Sequence, residues 1–132
     1  MKIDELFEQE DVMLYEMANL QPIRTGLPTV IWFGEVGGQH GPRIKVSNTP
    51  GKYNTSSNFT ITVDKEPKIP KRHEIKISNS DVELIFDWIT LNYDLLMCLW
   101  KSFETGNAVE VIEGGVVKML DAHDIISRLQ KI

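Results

Sequence analysis

The 132-residue sequence contains a single cysteine, Cys98, so it cannot form an internal disulfide. Because Cys98 lies in the apolar run LLMCLW, it is predicted to be a small buried hydrophobe in a reducing compartment and not a nucleophile. No apolar run approaches the roughly 20 residues that are needed to span a bilayer. The opening residues MKIDELFEQEDVM are acidic and lack the apolar core of a secretory signal, so a cytoplasmic protein is expected.

The short motifs that identify common nucleotide and metal sites are also missing. Neither G-x-x-x-x-G-K-[ST] nor G-x-G-x-x-G occurs, and the glycine-rich stretch EVGGQHGPRIKV continues as a strand pattern, whereas known phosphate loops lead into a helix. The three histidines show no H-x-H or H-x-x-x-H spacing, so a zinc site has no support. We therefore expect no metal and no cofactor, and no residue pattern specifies a reaction.

The formal net charge of −5 hides an asymmetry along the chain. Residues 40 to 76 carry eight lysine and arginine residues against three acidic residues, whereas the flanks are strongly acidic. An acidic balance argues against general coating of nucleic acid, but a local basic zone can contact phosphate where it falls on one face. The alternative is a solvated region whose lysines keep strand edges soluble.

Hydrophobic spacing predicts an N-terminal helix over residues 3 to 20 that ends before Pro22. We expect a helical arm at residues 1 to 20 and a single α+β domain at residues 21 to 132. A β-branched and aromatic run predicts a buried strand at TVIWFGE, period-two alternation predicts strands at PRIKVSN and NFTITVD, and HEIKIS is predicted as a short fourth strand.

The second half of the chain has helical spacing. Ser80 and Glu83 form a capping-box pattern, and the following apolar positions predict one long helix from about residue 81 to 104 that Gly106 ends. A kink, or two consecutive helices with Asn92 as a cap, is the alternative. A hairpin around Glu113, Gly114 and Gly115 and a short helix with Asp121 as N-cap follow. This order predicts a largely antiparallel sheet of about four strands with the long helix on it.

The strand PRIKV is the strongest candidate for a binding surface. Arg43 and Lys45 are two residues apart and therefore point the same way, and Arg43 is able to contact a phosphate or carboxylate in bidentate fashion. Glycines of the preceding loop can expose backbone N–H groups to an anion, and Lys52 returns from the following loop. The alternative is a hairpin with a polar outer face. The candidate ligand-binding residues are His40, Arg43, Lys45, Lys52, Gly37 and Gly38.

No catalytic residue is assigned. A general base needs a partner within hydrogen-bond reach, and no spacing in the sequence guarantees one for His40. Trp32 is predicted to belong to the core, although Trp32 and Tyr53 lie near the cations, where aromatic side chains can stack on bases. Their spacing matches neither an RNA-recognition motif nor a cold-shock signature.

HGPRIKV after TVIWF, with the later helix DVELIFDWITLNYDLLMCLW, resembles small uncharacterised bacterial and phage proteins. Those proteins have an H-G-P-R-I-K-V strand and a helix of the form D-W-I-x-x-N-x-x-x-L-x-x-x-W, and the likeness covers residues 28 to 100. The chain is more distantly similar to a domain of unknown function found beside toxin–antitoxin genes, in which a PPHxHV strand precedes a helix ending in L-L-x-x-W. Arg43 and Lys45 stand where that family has histidines, so its histidine chemistry does not transfer. The resemblance implies a mobile-element or defence setting without an established activity.

The leading hypothesis is a non-enzymatic binding module of a prokaryote or phage, antitoxin-like or anti-defence-like. Its cationic strand face would bind an anionic partner such as nucleic acid, a nucleotide or an acidic protein surface. One alternative is a small metal-independent hydrolase or nuclease that uses His40, Arg43 and Lys45. Another is a homo-oligomeric interaction protein that associates through its N-terminal helix.

Overall fold

The computed structural model describes residues 19–33, 41–54, 56–70 and 74–132. Within these ranges the protein is α+β, as predicted, with one four-stranded antiparallel sheet, a second sheet of two strands, and four helices. The elements in chain order are β1 (Asn19–Leu20), α1 (Pro22–Thr25), β2 (Ile31–Phe33), β3 (Arg43–Ser47), β4 (Asn58–Thr62), α2 (Asn79–Leu91), α3 (Tyr93–Thr105), β5 (Val109–Glu113), β6 (Val116–Leu120) and α4 (Ala122–Arg128).

The first sheet has the order β1-β2-β3-β4, with each neighbouring pair antiparallel. Because successive side chains of a strand point to opposite faces, its alternating sequences give it one apolar face. This face joins helices α2, α3 and α4 in a single buried cluster. The sheet contributes two rows of paired residues to that cluster, which are Leu20, Ile31, Val46 and Phe59, and then Phe33, Ile44 and Ile61.

The prediction of a fourth strand at HEIKIS is wrong for the described part of this segment, because residues 74–78 form no strand. The side chain of Asn48 takes the place of a strand partner, because its amide donates to the Glu74 carbonyl (2.8 Å) and accepts from the Lys76 N–H (2.8 Å). The fourth strand is instead Asn19–Leu20, where the sequence predicted the end of a helix. The rest of that predicted helix lies outside the described residues.

The predicted long helix is two helices, and the alternative with a break at Asn92 is confirmed. The buried Asn92 amide donates to the Trp88 carbonyl (3.1 Å) and to the Gln130 carbonyl (3.0 Å), and it accepts from the Gln130 N–H (2.7 Å). These bonds tie the C-terminal tail to the α2–α3 junction. The N-cap of α2 is Ser78 and not Ser80, since Ser78 accepts from the Asp81 N–H (3.1 Å). Gly106 ends α3 with φ 71°, as predicted.

The C-terminal hairpin and short helix form as predicted. Gly114 and Gly115 both have positive φ (55° and 78°), which a two-residue turn of this handedness requires. Asp121 and Asp124 form the capping box of α4, in which the Asp124 N–H donates to the Asp121 carboxylate (2.8 Å). The hairpin contacts α3 and α4. The Arg128 guanidinium of α4 also bonds both carboxylate oxygens of Glu113 (2.7 and 3.3 Å).

Candidate anion-binding site

Three rows of paired residues lie on the face of the first sheet opposite the core cluster; two of them include the cations of β3, and the third pairs Ser47 with Asn58. The strand register places Asn19, Trp32, Lys45 and Thr60 in one row across all four strands. A second row pairs Arg43 of β3 with Thr62 of β4. We call this side of the sheet the cationic face and define it by the half-buried Trp32, Arg43, Lys45 and Thr62 and the buried Asn19 and Thr60.

Arg43 and Lys45 lie on the cationic face because they alternate with the buried Ile44 and Val46. The Lys45 ammonium donates to the Thr60 hydroxyl on the neighbouring strand (2.8 Å), so this cation is held above the sheet. An ammonium has three donors, and this bond uses one of them. Lys45 therefore keeps donors for a ligand beside the half-buried Arg43.

Lys52 lies in the loop that follows β3, and this loop folds back onto the sheet. The Ser47 hydroxyl donates to the Lys52 carbonyl (2.6 Å), and it also accepts from the Thr49 N–H (3.1 Å). The Lys52 residue itself is exposed. The loop thus brings the backbone of Lys52 against β3 and leaves its side chain to solvent.

The assignment of Trp32 to the core is wrong. Trp32 alternates with the buried residues Ile31 and Phe33, so it belongs to the opposite face and is half-buried there. Its indole packs against the Tyr53 ring in an edge-to-face arrangement, with centroids 4.6 Å apart and planes at 67°. Because Trp32 and Lys45 are register partners, the aromatic pair lies one strand from Lys45, whose ammonium is bonded to Thr60 on the next strand.

Asn19 is the functional candidate that the sequence interpretation missed. It is 3% exposed, and neither its amide nitrogen nor its amide oxygen has a hydrogen-bond partner. Asn19 is the register partner of Trp32, so it lies on β1 at the end of the row that continues through Trp32, Lys45 and Thr60. The sequence offers no signal for it, because its neighbourhood has the spacing of a helix.

The remaining candidates are not brought to this site by any described contact. His40, Gly37 and Gly38 lie outside the described residues, as does His73. His123 is exposed at the start of α4, where its ring and the carboxylates of Asp121 and Asp124 lie within 4.8 Å of one another. Both carboxylates take part in the capping box, which explains why the acids cluster there.

Cys98 is half-buried on α3. Burial, and then the charge of Asp94, raise the pKa of its thiol above the ordinary value, while Lys101 acts in the opposite direction. A raised pKa leaves less thiolate at neutral pH, and the thiolate is the reactive form. Cys98 is therefore poorly suited to act as a nucleophile.

Two further surface features are formed by residues that do not belong to the cationic face. A shallow cleft of about 560 Å³ is lined by Lys65 and by residues 90–95 of the α2–α3 junction, and the Lys65 ammonium lies 5.9 Å from the centroid of the Tyr93 ring. The outward face of the β5–β6 hairpin exposes Ile112, Val117 and Met119 by 72%, 55% and 64%. We call these three residues the apolar hairpin face.

Comparison of the chain with protein-family models, curated proteins and solved structures finds no match in any of the three. Among the described residues, none of the helices has the length and apolar character needed to cross a membrane.

Proposed function

We propose that this protein is a non-enzymatic binding module whose cationic face holds an anionic partner. The observation that supports this proposal most directly is the adjacency of Arg43 and Lys45 on the outward side of β3, with the Lys45 ammonium 2.8 Å from the Thr60 hydroxyl. A cation that is already held in place loses little side-chain freedom when an anion arrives, which favours binding. Arg43 can add a bidentate contact to a phosphate or carboxylate.

The charge of the surrounding molecule supports a local site and not a general affinity for polyanions. The chain carries a net charge of −5, and the exposed side of α2 and α3 includes Glu83, Asp87 and Asp94. These acids repel an anion that approaches from the helical side and favour approach toward the cationic face.

The described hydrogen bonds bring no histidine, carboxylate or thiol to Arg43 or Lys45, and this favours binding over catalysis. The hydrolase alternative depends on His40, and the oligomer alternative depends on the N-terminal helix; both lie outside the described residues. A prokaryotic or phage setting with an antitoxin-like or anti-defence-like role in the cytoplasm is part of the proposal. This setting rests on the resemblance of HGPRIKV and the Trp88–Trp100 helix pattern.

The direct test measures binding of a fluorescently labelled single-stranded DNA and of heparin while salt rises from 50 to 200 mM. Replacing Arg43 and Lys45 together by Ala should lower the affinity for the single strand about tenfold or more and reduce the magnitude of the salt slope by about 1.4, because each of the two lost phosphate contacts accounts for about 0.7 on a single strand.

The matched control replaces Lys101 and Lys131 by Ala, which changes the net charge equally at two exposed positions outside the cationic face. This control should keep most of the affinity. Equal losses in the two double variants would refute the proposal, and so would the absence of binding to single-stranded DNA, heparin, adenosine monophosphate and inorganic phosphate alike at 50 mM salt.

A further inference from the structure

The cationic face has features that a simple anion does not require. Beside the two cations stand an aromatic pair, Trp32 and Tyr53, and the unpartnered amide of Asn19. We infer that the face takes an unpaired nucleobase together with its phosphate, with the base at Trp32 and Asn19 and the phosphate at Lys45 and Arg43. The inference rests on the proposed function and specifies its ligand.

Three buried asparagines show why the Asn19 amide is informative. The amides of Asn48 and Asn92 each bond backbone groups of a segment more than 25 residues away in sequence. The amide of Asn19 is buried to a similar extent, yet its nitrogen and oxygen both lack a partner. Burial of an unsatisfied polar group destabilises a protein, so a buried amide without partners requires an explanation.

Among the described residues, the other buried side-chain polar atom without a partner is the indole nitrogen of Trp88. Trp88 belongs to the core cluster between the sheet and the helices, where a single N–H accompanies a large apolar ring. Asn19 differs because it lies on an edge strand of two residues and points to the face that carries the cations. A ligand on that face can therefore supply the missing partners.

The chemistry of the Asn19 amide matches a base edge. A carboxamide places a donor and an acceptor side by side, and nucleobases present adjacent donor and acceptor atoms on their edges. These edges are available when the base is not already paired. Because Asn19 and Trp32 are register partners, a base that stacks on the indole comes beside the amide.

The phosphate position follows from the next strand. Lys45 is the register partner of Trp32 on β3, and adjacent strands are separated by about 4.8 Å. The backbone of Lys45 is thus one strand away from the stacking position, its ammonium is held toward Thr60 on β4, and Arg43 is two residues away on the same strand. Proteins that bind single strands combine an aromatic platform with cations that follow the backbone in this way.

In the free protein Asn19 is 3% exposed, so the base reaches the amide only when a neighbouring side chain moves. If the indole of Trp32 is the group that moves, binding must change its fluorescence. The other two tryptophans, Trp88 and Trp100, are buried in the core cluster and should contribute little to the change. Intrinsic fluorescence therefore reports on the site.

The test compares four probes at one salt concentration: a single-stranded DNA decamer, the duplex of the same length, adenosine monophosphate and inorganic phosphate. We expect the single strand to bind at least tenfold more tightly than the duplex and to change tryptophan fluorescence. Trp32→Leu should bring the ratio of the two affinities near one, and Trp32→Phe should retain part of it. Saturable binding of adenosine monophosphate in place of the decamer would also support the inference and would identify a free nucleotide as the source.

Asn19→Leu provides the second arm. Removal of an unsatisfied amide should raise the melting temperature by a few degrees, and the loss of base contacts should lower single-strand affinity at least fivefold. A melting temperature that falls below that of the wild-type protein would show a structural role for the amide and overturn the inference.

These experiments distinguish a failure of the base inference from a failure of anion binding. Equal affinity for single strand and duplex, both reduced by the Arg43 and Lys45 variant, would overturn the base inference and leave anion binding intact. No binding of any probe or of heparin would refute anion binding itself.

Discussion

The two sheets of this protein present opposite chemistry to their surroundings. The outer face of the first sheet carries Arg43 and Lys45 among polar partners, whereas the outer face of the hairpin exposes Ile112, Val117 and Met119. In both sheets successive residues point to opposite faces, and in the hairpin Val109 and Leu120 are the buried residues. The residues on the outer faces therefore set the chemistry of each sheet surface.

The two regions are also held together differently. The first sheet has four strands and a clamp at Asn48, which bonds the backbone of residues 74 and 76. The hairpin has only two strands, and such a hairpin needs packing against other elements to be stable. It obtains this packing from α3 and α4, with the bidentate pair of Glu113 and Arg128 at its tip.

The largest effect is expected at the two buried asparagines that bond distant backbone, Asn48 beside the first sheet and Asn92 at the α2–α3 junction. Asn48→Leu and Asn92→Leu should each lower the free energy of unfolding by about 2–4 kcal/mol, because backbone groups of a distant segment lose their partners. Chemical denaturation measures the loss, and amide hydrogen exchange locates it. Asn48→Leu should expose residues near 74–76, and Asn92→Leu should expose residues near 130.

Asn107→Ala serves as the control for both asparagine variants, since Asn107 is exposed after α3. It should change the free energy of unfolding by less than about 0.5 kcal/mol. If either asparagine variant loses protection both near residues 74–76 and near residue 130, these two segments do not unfold separately.

An intermediate effect is expected on the apolar hairpin face. Ile112→Thr, Val117→Thr and Met119→Gln replace exposed side chains, so each should change the free energy of unfolding by less than about 0.5 kcal/mol. Threonine keeps the β-branched shape that strands favour. The triple variant should bind less of an apolar fluorescent dye while its affinity for single-stranded DNA stays the same.

Sedimentation velocity of the wild-type protein and the triple variant completes this comparison. Should a single substitution cost more than about 1 kcal/mol, or should the sedimentation coefficient fall in the triple variant, the apolar hairpin face would be an interface and not a free surface.

The smallest effect concerns pH and the hairpin tip. The hydrogen bond from Arg128, aided by Lys118, holds the pKa of the Glu113 carboxyl below its ordinary value of 4.5. A carboxyl group whose pKa is lower in the folded than in the unfolded protein stabilises the fold at pH values above its ordinary pKa. This stability is lost as the pH falls through the folded-state pKa. Glu113→Gln should therefore lower the melting temperature slightly at pH 7, with the difference vanishing as the pH falls below the folded-state pKa.

Glu110→Gln is the matched control, because Glu110 lies on the outward face of the same strand and has no ion pair within the described residues. A melting temperature of Glu113→Gln that parallels the wild type at every pH would contradict the assigned role of the Arg128 pair.

Local patterns predicted much of the fold. The alternation in PRIKV and NFTITVD identified β3 and β4, and the paired glycines identified the β5–β6 turn. Alternation with Ile31 and Phe33 also places Trp32 on the face away from the core, but the size and apolar character of the tryptophan side chain favoured a core position. Local patterns failed for HEIKIS, because the Asn48 side chain bonds the segment where a strand would have bonded it.

Of the residues in the candidate site, the sequence predicted the two cations and not their neighbours. Arg43 and Lys45 are two residues apart, so the side that they share follows from strand geometry alone. The neighbours of these cations come from other strands, since Asn19 and Thr60 reach the row through β1 and β4. A one-residue change of register would send these partners to the opposite face, and such registers depend on contacts across the sheet.

The sequence by itself determined the α+β class, the alternating strands, the hairpin turn and the direction shared by Arg43 and Lys45, because these depend on neighbours within a few residues. Only the tertiary structure decided that Trp32 stands beside Lys45, that Asn48 and Asn92 find distant backbone partners, and that Asn19 finds none. Pairing between segments far apart in the chain depends on how the whole core closes. The row of Asn19, Trp32, Lys45 and Thr60 exists for that reason.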